Sequence, residues 1–157
     1  MTKQADSTAS YPLGPALDFL QRLWQLNHAL EKVSSGMEMR LGVTAQQRLI
    51  LRCVGKYPGM TASQLASLLH VDAGTVSASL RRLESRGLLE RRRDPRDKRR
   101  ASLGLTAKGR ALDHPAGGTV ENAVGRLLDG ARAEELSAMV TIVDQLTALL
   151  GEELNVE

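Results

Sequence analysis

Between Arg91 and Arg99 the chain places five arginines and one lysine, and the alternating apolar stretch Ala101 to Leu105 follows at once. Guanidinium groups form short, charge-assisted and often bidentate hydrogen bonds to phosphate and carboxylate oxygens, and they fit the edge of guanine. The wider charge distribution points the same way. From Thr61 to Arg110 twelve basic residues face five acidic ones, a local charge of +7 that leaves −4 on the remainder of the 157-residue chain. A basic middle between acidic ends suits a protein that presents one face to a polyanion. An arginine run alone is often only a solvated surface, so the elements that hold it decide its meaning.

Those elements follow from capping residues and periodicity. Pro15 opens a helix whose Leu17, Leu20, Leu23, Trp24, Leu30 and Val33 recur at helical spacing, predicting a helix over about 15–37 that stops near Gly36. Thr44 with Gln47, and Thr61 with Gln64, each match a capping box at the start of an apolar stripe. Asp72 is placed to cap a fourth helix that Gly87 terminates. The period then changes: Leu88 to Arg92 and Ala101 to Leu105 read as two strands flanking a polar turn at Pro95. Thr106 caps a fifth helix, which "HPAGG" at 114–118 kinks or splits. Leu136, Met139, Val140, Val143, Leu146, Leu150 and Leu154 then repeat as a long amphipathic C-terminal helix.

Two short helices joined by a few residues and followed by a hairpin describe a winged helix-turn-helix. The second helix of such a pair enters the major groove, about 12 Å wide, with its N-terminal N–H groups near phosphate. With Val76, Leu80 and Leu83 turned inward, the outward face carries Gly74, Thr75, Ser77, Ala78 and Arg81. Thr75, Ser77 and Arg81 are the candidates for groove and phosphate contacts, Arg81 for a guanine edge, while Gly74 and Ala78 permit close approach. The hairpin is placed to offer an arginine to a narrow minor groove.

Other chemistries find less support. No phosphate-cradling glycine loop, nucleophile elbow or zinc-protease motif is present, so no enzyme reaction suggests itself. His28, His70 and His114 lack ligand-spaced companions, so no metal and no cofactor is expected. Cys53, the one cysteine, falls on an apolar stripe and reads as an inert thiol before a redox sensor. Aromatics are 3% of the chain and none follows Pro58, which disfavours base stacking on single strands and favours duplex DNA over RNA. Tyr11, Phe19 and Trp24 are expected in a core or subunit interface. No apolar run approaches a membrane span and no export signal precedes the helices, so a cytoplasmic protein is expected. A winged helix that only docks another protein is the alternative function, with thiol sensing through Cys53 behind it.

The stretch "LASLLHVDAGTVSASLRRLESRGLLERRRDPRDKRRASLGLTAKG" resembles the core of the MarR family of bacterial transcription regulators. The resemblance implies a mainly α fold with a small β-wing, one domain over 1–157 with a loose tail at 1–12. It implies a DNA-binding lobe at 44–110 and dimerisation helices at 13–40 and 113–157, with Leu17, Leu20, Leu146 and Leu150 in the interface. Position 143 has no leucine to add to that set, being Val143. The family's wing pattern falls on Asp97, Lys98 and Arg99, which makes Arg99 the minor-groove probe and Asp97 the residue that orients it. Arg92, Arg96 and Lys98 then serve phosphate. The family further implies a homodimer on double-stranded DNA, repression, and a small lipophilic or phenolic effector between the lobes. Two departures stand out: His70 occupies a turn position where glycine is usual, and the "HPAGG" break is expected to act as a hinge.

Overall fold

The computed structural model describes residues 12–93 and 101–154. In chain order they form α1 (Pro15–Leu41), α2 (Ala45–Lys56), α3 (Ala62–Leu69), α4 (Ala73–Ser85), β1 (Leu89–Arg93), β2 (Ala101–Leu105), α5 (Ala107–Leu112), α6 (Val120–Gly130) and α7 (Ala133–Glu153). The fold is the mainly helical one with a two-stranded wing that the sequence implies. Both predicted capping boxes are present, Thr44 with Gln47 and Thr61 with Gln64.

The first helix runs past its predicted stop. Gly36 costs about 1 kcal/mol within a helix, but Met37 beyond it is fully buried, and the chain leaves the helix only at Gly42, with φ 72°. Tertiary packing outweighs the local propensity. The C-terminal half divides further than periodicity indicated, because "HPAGG" splits the fifth helix outright and Thr119 caps a new one, α6.

One apolar core serves the middle of the chain. Ile50, Leu51 and Val54 of α2, Leu65 of α3, Val76, Leu80 and Leu83 of α4, and Leu89, Leu103 and Leu105 of the strands close around it. Strands β1 and β2 are antiparallel, with Leu89 opposite Leu105 and Arg93 opposite Ala101. The segment before α3 adds a third rung: Leu103 donates to the Met60 carbonyl at 2.7 Å, Gly59 donates back to Leu103, and Thr61 bridges Ser102. The wing is thereby tied to the start of α3. Helix α5 closes on the hairpin at Gly109, where a Cβ would lie 1.9 Å from the Leu88 carbonyl oxygen. By contrast α6 and α7 contribute no buried residue.

Candidate nucleic-acid interface

Two similar helix ends aim α4. Helix α3 ends with Val71 donating to the Ala66 carbonyl and His70 to Ser67, and α4 ends with Leu88 donating to Leu83 and Gly87 to Glu84. Each is a Schellman motif, which requires a left-handed residue. Gly87 supplies it at φ 66°, but at the end of α3 it is His70, at φ 51° and ψ 42°, the one non-glycine residue with positive φ among those described. The turn keeps its shape and His70 tolerates a conformation that costs a side-chain-bearing residue about 1 kcal/mol.

Helix α4 then starts at Asp72. One carboxylate oxygen accepts from the Thr75 N–H at 2.8 Å and the other from the Thr75 hydroxyl at 2.5 Å. Those bonds from Thr75 hold the Asp72 carboxyl below the usual carboxylate range. An ionised carboxylate therefore sits where the helix dipole would favour an incoming phosphate, and the Thr75 hydroxyl proton is already used. Thr75 keeps only acceptor capacity, so the cationic side chains carry the attraction to a polyanion. Val76, Leu80 and Leu83 are buried, as their spacing indicates, and Ser79 joins them. Gly74, Thr75 and Arg81 are exposed, while Ser77 and Ala78 are half-buried. Arg82 is exposed beside Arg81, and neither guanidinium has a bonded partner among the described residues. Sequence reading passed over Arg82, although its adjacency to Arg81 placed it at the edge of the same face.

The wing divides its arginines. Arg91 reaches back to Glu84 of α4 at 2.7 Å, which braces the strand against the helix and takes Arg91 out of the pool of free cations. Arg92 pairs with Glu90 through Nε at 2.9 Å and Nη2 at 2.6 Å, yet its side chain stays 66% exposed. Arg96, Asp97, Lys98 and Arg99 lie outside the described residues, as does Tyr11.

Another set of arginines carries no sequence signature. Arg48 of α2 is 1% exposed and turns its guanidinium bonds on the stretch from the end of α5 to the first turn of α6: to the carbonyls of Leu112 and His114 and to the carboxylate of Glu121. Arg52, one turn on, holds the backbone oxygen of Asp113 at 2.6 Å and its Oδ1 at 2.8 Å. Arg40 of α1 donates to Gly118 at 2.6 Å. Partial burial pushes the Glu121 carboxyl up, but the Arg48 hydrogen bond and charge outweigh it and hold the group below its usual range. The "HPAGG" break and the residues just before it are therefore held by three arginines, Arg40, Arg48 and Arg52. The signal was indirect: a Pro/Gly segment leaves backbone carbonyls without helical partners, and something must donate to them.

Beside this clamp lies a cavity of about 780 Å³ between α2 and α6, lined largely by apolar side chains, with Arg52, Glu121 and Arg126 in its wall. Cys53 is half-buried, and burial pushes its thiol pKa up, partly offset by Lys56, which suits an unreactive thiol. Phe19 and Trp24 do not enter the core; Trp24 is 68% exposed on α1. Leu17 and Leu150 are exposed as well, and Leu20 and Leu146 are half-buried. Position 143 is a valine, so no leucine stands there to join the four. Val143 is exposed on α7 between Val140 and Leu150, and it extends the same uncovered apolar surface. A stripe is continued by any apolar side chain at the right spacing, whatever its identity. Among the described residues no helix is long and apolar enough to cross a membrane.

A family model described as the MarR family matches residues 43–101, from the end of α1 to the start of β2. The regulator TtmR of Methylorubrum extorquens is 32% identical over 131 residues, covering 79% of this chain and 65% of its own length. The regulator BilQ of Clostridium symbiosum is 32% identical over 93 residues, 59% of this chain and 65% of its own. The chain thus spans just under two thirds of the length of these curated relatives. Among solved structures, FabT of Streptococcus pneumoniae in complex with DNA superposes with a TM-score of 0.65 at 27% identity, over 88% of this chain and 99% of that one. MepR of S. aureus in complex with DNA gives 0.68 at 24% identity, over 83% and 96%, which is a likeness of fold.

Proposed function

We propose that this chain is a regulator of the MarR family, whose model matches residues 43–101, and that it binds double-stranded DNA sequence-specifically to control transcription. The observation that carries the reading is the outer face of α4, where Arg81 and Arg82 stand exposed without side-chain partners among the described residues, beside a capped helix start. Helix α4 lies in the major groove with Arg81 toward base edges, Thr75 accepting from a neighbouring donor and Ser77 free to donate or accept. The wing follows the backbone into the adjacent minor groove, with Arg92 on phosphate and Arg99 as the groove probe oriented by Asp97.

A homodimer places two such helices about 34 Å apart, one turn of B-DNA, on a pseudo-palindromic site. Support comes from apolar side chains that this chain leaves uncovered on its outer helices, among them Leu17, Trp24, Leu127, Val140, Val143 and Leu150. A second copy covers them. Binding DNA places the protein in the cytoplasm, where it represses nearby genes by blocking RNA polymerase. A solved neighbour, PcaV of Streptomyces coelicolor, is seen with its natural ligand, and the cavity between α2 and α6 offers this chain room for an effector.

The test is fluorescence anisotropy on labelled DNA from upstream of the gene, with salt raised in steps. Tight binding that weakens along a steep logarithmic salt slope, and that exceeds binding to scrambled duplex, is the expected result. No binding at low salt would instead leave a protein-docking winged helix.

A further inference from the structure

Thr75 is the residue of the α4 face whose hydrogen-bonding capacity the fold has already divided. Its N–H donates to one oxygen of Asp72 at 2.8 Å and its hydroxyl donates to the other at 2.5 Å. An ionised carboxylate can only accept, so the hydroxyl proton lies in that bond. No described residue donates to Oγ1 in return, and the side chain is exposed, so the lone pairs of that oxygen are left to solvent. Thr75 is β-branched, and the grip of Asp72 on Oγ1 leaves χ1 one setting, which holds the oxygen still. Gly74 makes room for the grip: a Cβ there would come within 3.0 Å of the Asp72 Oδ1. The bonds from Thr75 hold the Asp72 carboxyl below its usual range, so the division persists at neutral pH. A backbone phosphate has no proton to give Oγ1, and it meets the Asp72 charge beside it.

Resting on the reading of the chain as a binder of duplex DNA, we propose that Thr75 reads an exocyclic amine in the major groove, N6 of adenine or N4 of cytosine. Asp72 is the positioning residue that confines it to those bases. In that groove the two amines are the donors, whereas guanine O6 and thymine O4 in the corresponding places are acceptors. A free threonine hydroxyl serves either class by turning its proton. With the proton committed to Asp72, only the amino bases pair; opposite guanine O6 or thymine O4 two acceptors face each other, and both lose water without a partner. The bond to a carboxylate also polarises Oγ1 and strengthens it as an acceptor. An asparagine would cap the helix as well as the aspartate does, but with the opposite consequence. Its carbonyl oxygen has to take the Thr75 N–H, so its amide donates to Oγ1 and the hydroxyl proton turns outward. The polarity of Thr75 inverts, and the base preference inverts with it.

The experiment selects duplexes from a pool with a random centre, using the full chain and its variants Thr75→Val and Asp72→Asn, and sequences the bound fractions. One position in each half-site should lose its preference in Thr75→Val, and there the parent should favour adenine or cytosine over guanine or thymine by about three- to tenfold. Asp72→Asn should favour guanine or thymine at the same position while melting close to the parent, because its cap is kept. Loss of the Asp72 charge strengthens binding to every duplex alike, which leaves the base preference as a separate signal. The preferred duplex is then remade without the amine, with purine in place of adenine or 2-pyrimidinone in place of cytosine. The deletion should weaken the parent about three- to tenfold and Thr75→Val less than about twofold, since valine has no oxygen for the amine to meet. Enrichment in which Thr75→Val relaxes no position, the parent favours guanine or thymine at the relaxed one, Asp72→Asn keeps the parent's base, or amine deletion costs both proteins alike would each overturn the inference and leave DNA binding standing. A parent that enriches no duplex over the pool at low salt removes the DNA-binding reading, and the inference falls with it.

Discussion

Arg48 and Arg81 carry the same charge and stand on helices that share one core, yet they do opposite work. Arg48 is sealed from water with three partners on a distant stretch of chain, and Arg81 is exposed with none for its side chain among the described residues. A guanidinium that is fully bonded inside the fold has nothing left to offer a ligand, while one that is unbonded outside it contributes nothing to stability. Charge density along the chain does not separate these roles, since Arg48 lies outside the basic segment and Arg91, well inside it, is tied to Glu84. The partners decide.

The largest effect that would sharpen this contrast is on stability. Arg48→Met keeps the apolar stem but leaves the Leu112 and His114 carbonyls without their donor, and should cost about 3–5 kcal/mol in chemical denaturation. A loss below about 1 kcal/mol would show the clamp to be ornamental. The same bond has a pH signature. The Glu121 carboxyl is held below its unfolded value, partial burial notwithstanding, because Arg48 bonds to it and its charge adds to the hold. Its contribution is therefore complete above the ordinary carboxylate pKa and is lost as pH falls through the lowered one. Acid unfolding should be less steep in Glu121→Gln than in the parent over that acidic window.

Next in size is the effect on DNA. Arg81→Ala should weaken operator binding by about 1–3 kcal/mol and relax discrimination at one base position, while leaving stability within about 0.5 kcal/mol of the parent. A variant that binds normally but unfolds more easily would place Arg81 with Arg48 and break the contrast.

Arg81 of the free set was legible in the sequence and the clamped set was not, for a physical reason. Arg81 could be placed because Val76, Leu80 and Leu83 fix which side of α4 faces inward, a local periodicity read from a dozen residues. The capping boxes at Thr44 and Thr61 and the cap at Asp72 are equally local. Arg48 bonds to residues more than sixty positions away, and nothing in its own neighbourhood announces a buried guanidinium. Other misses share that origin. Gly36 reads as a stop until Met37 is seen to pack, and Thr75 reads as a free hydroxyl until its geometry against Asp72 is known. Phe19 and Trp24 stay exposed on α1, which leaves the subunit interface of the two places expected for them, because an amphipathic stripe says that a face is apolar, not what covers it.

The turn that aims α4 provides a smaller test. His70→Gly relieves a left-handed side-chain conformation at the cost of a freer unfolded chain, and should raise stability by about 0.5–1 kcal/mol. If DNA affinity stays constant, the direction in which Arg81 points is fixed by the Schellman bonds of α3 and not by the imidazole. If affinity falls while stability rises, His70 itself belongs to the interface and joins the free set.

Arg92 lies between the two sets, and the smallest predicted effect therefore discriminates most finely. It is paired like the clamped arginines, through two bonds to Glu90, but it is exposed like the free ones. A solvated pair of this kind is worth about 0–1 kcal/mol, so a phosphate can take the guanidinium from Glu90 at little cost. Arg92→Ala should then weaken binding to all sequences alike and flatten the logarithmic salt slope by about one unit, with thermal stability unchanged. Glu90→Gln should strengthen binding slightly, because it removes the competitor. Should Arg92→Ala instead lower stability and leave the salt slope intact, the Glu90 pair is a fastening, exposure is a poor guide to role, and only the bond partners remain to tell the two kinds of arginine apart.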